Sequence, residues 1–228
     1  MRDGYDAPPI NPLPPVVWLL ALPIVAMEAV VGLGSSGLAG GPEAVGWRLD
    51  AIQRFAFSPD VLRWMWGTGQ WPAEHLARFV TYPFANQSFT QALFVLVFLL
   101  ALGKMVGEVF RAWVVAAVFF GAAIAGALAY TAVPGAGAAL IGGFPAVYGL
   151  IGAFTFILWA RLGAVNANRA RAFSLIGFLL GIQLVFGLIF GATWDWVADV
   201  AGFAAGFALS FLLGPGGWTA LRERIRHR

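Results

Sequence analysis

Apolar residues in this chain fall into long unbroken blocks, over residues 16–33, 84–102, 112–133, 146–162, 172–190 and 196–213. At 1.5 Å of rise per residue each block predicts a helix able to cross ~30 Å of hydrocarbon. The blocks lack the in–out alternation of barrel strands, and a lipid-exposed backbone must satisfy its own hydrogen bonds, so helices are the remaining solution. The pattern predicts an all-α, six-transmembrane-helix bundle occupying residues 16–214. A proline-rich segment precedes it (1–15) and a basic tail follows it (215–228). The charged, proline-rich opening does not predict a cleavable leader.

Between the first two blocks, residues 34–80 read differently. Trp47, Leu49, Ile52, Phe55 and Ala56 recur at helical spacing against Arg48, Asp50, Gln53 and Arg54. Ser58 and Pro59 then predict a second start, with Ser58 as N-cap and Pro59 in the first helical position. Val61, Leu62, Trp64, Met65 and Trp66 are expected to form the apolar face of that second helix. Together they predict a long amphipathic first loop whose tryptophans sit at headgroup depth.

Composition agrees with the pattern. The 228 residues are 60% hydrophobic and 11% charged, where a soluble domain carries about 25% charge. Cysteine is absent, which excludes disulfides, thiol nucleophiles and thiolate metal sites. Lys104 is the single lysine among 14 basic residues, which with the Ala and Gly excess suggests a GC-rich bacterial genome and hence a bacterial inner membrane.

Charge also sets an orientation. Arg2, Lys104, Arg111, Arg161, Arg169, Arg171, Arg222, Arg224, Arg226 and Arg228 fall on the side of the termini, whereas Arg48, Arg54, Arg63 and Arg78 lie in the first loop. The positive-inside rule then places both termini in the cytoplasm. The basic tail reads as an orientation anchor beside anionic lipid, not as a nucleic-acid site.

Three segments carry candidate chemistry. The first runs from Arg78 to Val95 and includes Asn86, Gln91 and Val95, with Gly103 after it. The second is Gly142-Gly143-Phe144-Pro145-Ala146-Val147-Tyr148-Gly149. The third is Ala198-Asp199-Val200-Ala201-Gly202-Phe203-Ala204-Ala205-Gly206. In order and spacing they resemble the second, fourth and sixth spans of the rhomboid family of intramembrane serine proteases. The likeness covers residues 47–215. It implies a rhomboid-like bundle with a retained scaffold of Gly142, Tyr148, Gly149, Gly202 and Gly206.

The same resemblance implies that the chemistry is missing. Phe144 stands at the family's nucleophilic serine, Pro145 at a glycine, and Asp199 at the general-base histidine. Asn86 and Gln91 stand at the two histidines of the second span, and Val95 at the asparagine of the oxyanion hole. Phenylalanine has no lone pair for attack, Val95 donates nothing, and Pro145 has no backbone hydrogen. Phe144 is then expected to plug the space a substrate carbonyl would enter, with Pro145 suited to the first turn of a helix.

An argument independent of the resemblance agrees. The chain has two histidines, His75 and His227, and neither lies in an apolar block. No Ser–His pair, no intramembrane histidine-metal site and no bis-histidine haem is therefore expected, and the sequence implies no metal and no cofactor.

The remaining polar groups are Glu28 in the first block, Gln183 in the fifth, and Asp195 and Asp199 at the start of the sixth. Intramembrane carboxylates are functional-site hypotheses by default. Asp195 is expected to be solvated, and Asp199 to bond Tyr148, Gln91 or Asn86. Small residues spaced by four (Ala198, Gly202, Gly206, Ser210; Gly149, Ala153; Gly177, Gly181) predict close internal helix packing.

These readings lead to an inactive rhomboid-like membrane protein whose partners are the bilayer and the transmembrane helices of other membrane proteins or of a membrane complex. Its expected effect is on their assembly, stability or turnover, as in inactive rhomboids and derlins. Two alternatives stay open. One is a protease with relocated catalytic groups drawn from Ser88, Thr90, Thr155, Ser174 and Ser210. The other is a small transporter or proton pathway using Glu28 and Asp199.

Overall fold

The computed structural model describes residues 12–190 and 193–214. The segment 1–11 and the tail 215–228, with Arg2, Arg222, Arg224, Arg226, Arg228 and His227, lie outside the described residues.

The described chain is helical. Its helices are α1 (Pro15–Ser35), α2 (Trp47–Phe55), α3 (Pro59–Thr68), α4 (Ala73–Thr81), α5 (Phe89–Gly107), α6 (Ala112–Ala132), α7 (Phe144–Ala164), α8 (Ser174–Phe190) and α9 (Asp195–Leu213). Five of them (α1, α5, α6, α7 and α9) are long and apolar enough to cross a membrane. The sixth apolar block gives α8, which has 17 residues and reaches about 26 Å. A 3-10 turn over Arg169–Phe173 takes up the start of that block, so α8 begins at Ser174 instead of residue 172.

Two other boundaries move for local reasons. The second span begins at Phe89 instead of residue 84. Pro83 sits in a 3-10 turn (Tyr82–Phe84), and the Ser88 hydroxyl accepts the Gln91 N–H as an N-cap at 3.1 Å. The fourth begins at Phe144 instead of residue 146, because proline is welcome in a first turn where no donor is needed.

α7 is the central element. It packs on α9, α6 and α5, and α1 closes the bundle against α5 and α6. Glycines bring α7 and α9 into backbone contact. A Cβ on Gly206 would collide with Gly149 O, one on Gly202 with Pro145 O, and one on Gly152 with Phe203 O. The internal-packing expectation thus holds for these two helices. It fails for α8, where Gly177 and Gly181 meet nothing within 4 Å and are exposed. Spacing by four fixes which residues share a face, and the rotation of the helix decides what that face meets.

The first loop holds three helices, one more than its pattern predicts. α3 starts as expected, with Ser58 Oγ accepting the Val61 N–H at 3.4 Å and Pro59 in the first helical position. Its inward face is narrower than expected: Leu62 and Met65 are buried, whereas Trp64 and Trp66 are exposed. α4 presents Ala73, Leu76, Ala77 and Val80 outward at helical spacing and turns His75, Arg78 and Phe79 inward.

Long-range polar contacts pin this loop to the bundle. Arg63 donates to Thr131 O, Val133 O and Ala136 O at 2.9–3.0 Å, and also to Asp60 at 2.7 Å. It thereby satisfies carbonyls at and beyond the C-terminal end of α6, where a cation is also favoured by the helix dipole. Phe57 and Leu140 exchange both backbone hydrogen bonds, at 3.1 and 2.8 Å, in an isolated bridge that fixes the approach to α7.

Candidate functional site

The site forms where the first loop, the start of α5, the start of α7 and the start of α9 converge. Gly142 is its pivot. Its φ of +97° lies in the region that favours glycine. A Cβ there would meet Gln91 Nε2 at 2.5 Å and Asn86 Oδ1 at 3.4 Å. The Gly142 N–H donates to Tyr82 O at 3.2 Å. A Cβ on Gly143 would meet Val95 Cγ1 at 2.6 Å. Asn86, Gln91 and Val95, inferred from sequence as three positions of one site, are therefore brought together around Gly142-Gly143.

Their polar groups point inward. Gln91 Nε2 donates to Ile141 O at 3.2 Å, and its Oε1 accepts the Gln87 N–H at 2.7 Å. One N–H of the amide that sequence left open for an oxyanion is engaged in holding the loop before α7. Asn86 Nδ2 donates to Phe84 O at 3.3 Å, whereas Asn86 Oδ1 is buried without a partner. Val95 is fully buried.

Phe144 is the first residue of α7 and Pro145 the second, after Gly143 as N-cap with no side-chain cap. The Phe144 side chain is partly buried against the core. Pro145 wedges between α6 and α9: its Cβ lies 2.9 Å from where a Cβ on Gly126 would fall, and its carbonyl abuts Gly202. Ala198 O lies 2.8 Å from the same added Cβ on Gly126, and the Pro145–Gly202 approach sets this first turn of α9, with Asp199 in it, against the start of α7.

Asp199 is 5% exposed. Its partner is not Tyr148, Gln91 or Asn86 as expected. Gln183 Nε2 of α8 donates to Asp199 Oδ2 at 2.7 Å. The reason is rotational: Asp199 lies one turn into α9 and turns toward α8, so the fifth-block amide reaches it first. Tyr148 is buried on α7. Burial, with the nearby Asp199 charge adding to it, pushes the Tyr82 phenol well above its ordinary range, and the Tyr82 hydroxyl donates to Ala123 O at 2.8 Å. Asp195, as expected, is exposed, and accepts from the Thr193 hydroxyl at 3.2 Å.

Glu28 is not a free intramembrane carboxylate. Arg48 of α2 donates to both its oxygens, at 2.9 and 2.7 Å, and also to Asn86 O at 2.9 Å. The hydrogen bond to Glu28 raises the Arg48 guanidinium above its ordinary value, against the opposing effect of burial. Sequence reasoning missed this clip because Arg48 read as one polar residue of an amphipathic helix. The signal available was Glu28 itself, since an apolar helix seldom carries a buried carboxylate without a cation nearby.

The hydroxyls that could serve a relocated nucleophile have other surroundings. Ser88 caps α5, Ser174 Oγ donates to Arg171 O at 2.9 Å, and Ser210 Oγ donates to Gly206 O at 2.8 Å. Thr155 Oγ1 is buried and unpartnered inside α7, and Thr90 is exposed. His75, the histidine among the described residues, sits on α4 with its ring edge-on to Trp64 at 6.4 Å and its Nε2 3.6 Å from Glu74.

Against known families, a model described as Rhomboid (the rhomboid domain) matches residues 73–216, well over half of the chain. No curated protein matches it.

Proposed function

Since the chain belongs to the rhomboid family, we propose that it is a catalytically inactive member that binds transmembrane segments or a membrane-protein complex and influences their assembly, stability or turnover. The observation that carries the reading is the start of α7, where Phe144 and Pro145 occupy the first two helical positions. A phenyl ring offers no lone pair, so no acyl-enzyme forms there. The carboxylate expected at the base position is bonded to Gln183 and has no hydroxyl to serve. Gln91 Nε2 is committed to Ile141 O, and Val95 and Pro145 have no donor to offer an oxyanion. In this reading Phe144 seals the place of a scissile carbonyl, and the scaffold is kept for holding and not for cutting.

The proposed binding side lies between α5 and α8, with the first loop above it. Phe89, Leu93, Phe94 and Val97 of α5 are exposed, as are Phe178, Val185 and Ile189 of α8. In this reading α8 is a sixth span, and a helix of its length crosses with local thinning of the bilayer. The protein then sits in a bacterial inner membrane with both termini in the cytoplasm. Lys104, Arg111, Arg161, Arg169 and Arg171, at the opposite end of the bundle from the first loop, support that orientation.

The test is photo-crosslinking in native membranes from a probe residue at Phe94 or Val185. Discrete membrane-protein adducts are expected, with none from the same probe at Leu19 of α1. Absence of adducts at both α5 and α8 positions overturns the reading. In liposomes the purified protein leaves a transmembrane reporter intact, and cleavage sensitive to a serine-directed phosphonate would refute the inactive assignment.

A further inference from the structure

Among the described residues two carboxylates are buried, and they are treated differently. Glu28 has its own cation, Arg48, held by two hydrogen bonds. Asp199 forms no ion pair among the described residues, and its one side-chain partner is the neutral amide of Gln183. That amide directs one of its two N–H groups to Asp199, and Gln183 Oε1 is buried with nothing to accept from. The pair is therefore rich in acceptors and short of donors. In a membrane this imbalance is expensive, because lipid tails supply no hydrogen bonds.

None of the described cations relieves it. Arg48 is committed to Glu28 and Asn86 O, and Arg63 to the end of α6 and to Asp60. Arg78 donates to Ala56 O, and Arg54 lies over the Phe55 ring. Lys104, Arg111, Arg161, Arg169 and Arg171 are at the far ends of α5, α6, α7 and α8. No described residue supplies the missing charge.

The flank of α8 offers the way in. Gly177 and Gly181 meet nothing within 4 Å. By helical spacing they lie between the inward row of Ile176, Leu180 and Gln183 and the exposed row of Phe178, Val185 and Ile189. Small residues let a neighbouring helix backbone approach closely in lipid, and on the same helix Gln183 is only partly buried, so the pair is not sealed off from that side.

We infer that Asp199 and Gln183 form a docking point for a transmembrane helix that carries a lysine or arginine at hydrocarbon depth. The inference rests on the proposal that this protein binds transmembrane segments, and it names which segments. Asp199 lies four residues into α9, so the partner's cation belongs about 6 Å inside the first-loop end of the bundle. There Asp199 supplies the counter-charge and Gln183 Oε1 accepts a second N–H. An intramembrane cation is itself costly unless paired, so the two defects cancel on contact.

The experiment uses the full chain in lipid nanodiscs and synthetic leucine–alanine host helices with a fluorescent label. The helices differ at one position, one turn from the first-loop side, which holds Lys, Leu or Glu. Binding is read by energy transfer. The Lys helix is expected to bind about threefold to thirtyfold more tightly than the Leu helix, the range that interhelical polar bonds give in lipid. The Glu helix is expected to bind more weakly than either, and Asp199→Asn is expected to remove the Lys preference. The decisive comparison changes the helix and leaves the protein intact, so misfolding of a variant does not enter it. Equal binding of the Lys and Leu helices overturns this inference and leaves the docking function standing. Failure of every host helix to bind overturns both.

Discussion

Replacing Arg48 with alanine tests whether the first loop is tied to the bundle by charge. The substitution removes three hydrogen bonds, two to Glu28 and one to Asn86 O. Breaking a buried ion pair costs about 3–5 kcal/mol, because one charge is left uncompensated. The Glu28 side chain is 8% exposed and fits that description, but Arg48 is 26% exposed, so water recovers part of the loss when the arginine goes. The expected destabilisation is therefore about 2–3 kcal/mol. Glu28→Leu with Arg48→Leu removes both charges and should recover most of it, since apolar replacement of a buried pair is often close to neutral. The assay is reversible unfolding in mixed micelles by SDS titration, run as a double-mutant cycle. A loss below about 0.5 kcal/mol for Arg48→Ala, or a double variant no better than the single, would refute the clip. The pH sign is also fixed. Arg48 is raised above its ordinary value in the folded protein. Its contribution is therefore whole below the unfolded guanidinium value and is lost only as pH rises through the folded one, beyond the usual alkaline working range. Deprotonation of Arg48 should then contribute no loss of stability between neutral and moderately alkaline pH.

Four further outcomes follow from the packing and the site. Gly206→Val puts a side chain against Gly149 backbone and should cost about 3 kcal/mol or prevent folding, as overpacking against main chain does. Gly181→Ala meets open space and should be neutral or stabilising by up to about 1 kcal/mol; the two melts in one detergent check the pair. Arg63→Ala leaves three carbonyls at and after the end of α6 without their donor and should cost about 2 kcal/mol, with faster proteolysis of the α3–α4 segment as the readout. Phe144→Ser with Asp199→His should leave transmembrane reporter cleavage at least about a hundredfold below that of an active rhomboid, because Val95 and Pro145 still offer no oxyanion donor.

The sequence by itself determined the long apolar helices, five of which can cross a membrane, and the start of α3. Span positions follow from block length and hydropathy, because the bilayer imposes a fixed thickness on any sequence that crosses it. The Ser58–Pro59 start was legible because capping acts within three residues. That Asn86, Gln91 and Val95 gather around Gly142-Gly143 could be expected because the resemblance preserves their order along the chain. Only the tertiary structure decided who bonds to whom. Glu28 meets Arg48 across 20 residues, Gln183 meets Asp199 across 16, and Arg63 reaches Thr131 across 68. Each of these depends on how far a helix is rotated about its axis, and a hydrophobic pattern does not set that angle where lipid and protein interior are equally apolar. The same freedom hides the glycines of α8 from sequence reasoning: Gly177 and Gly181 repeat at the spacing of Gly202 and Gly206, yet one pair faces open space and the other faces backbone. It also explains why the pattern of α5 did not reveal that Gln91 would turn inward to hold Ile141, and why a neutral amide, not a cation, is the side-chain partner of Asp199 among the described residues.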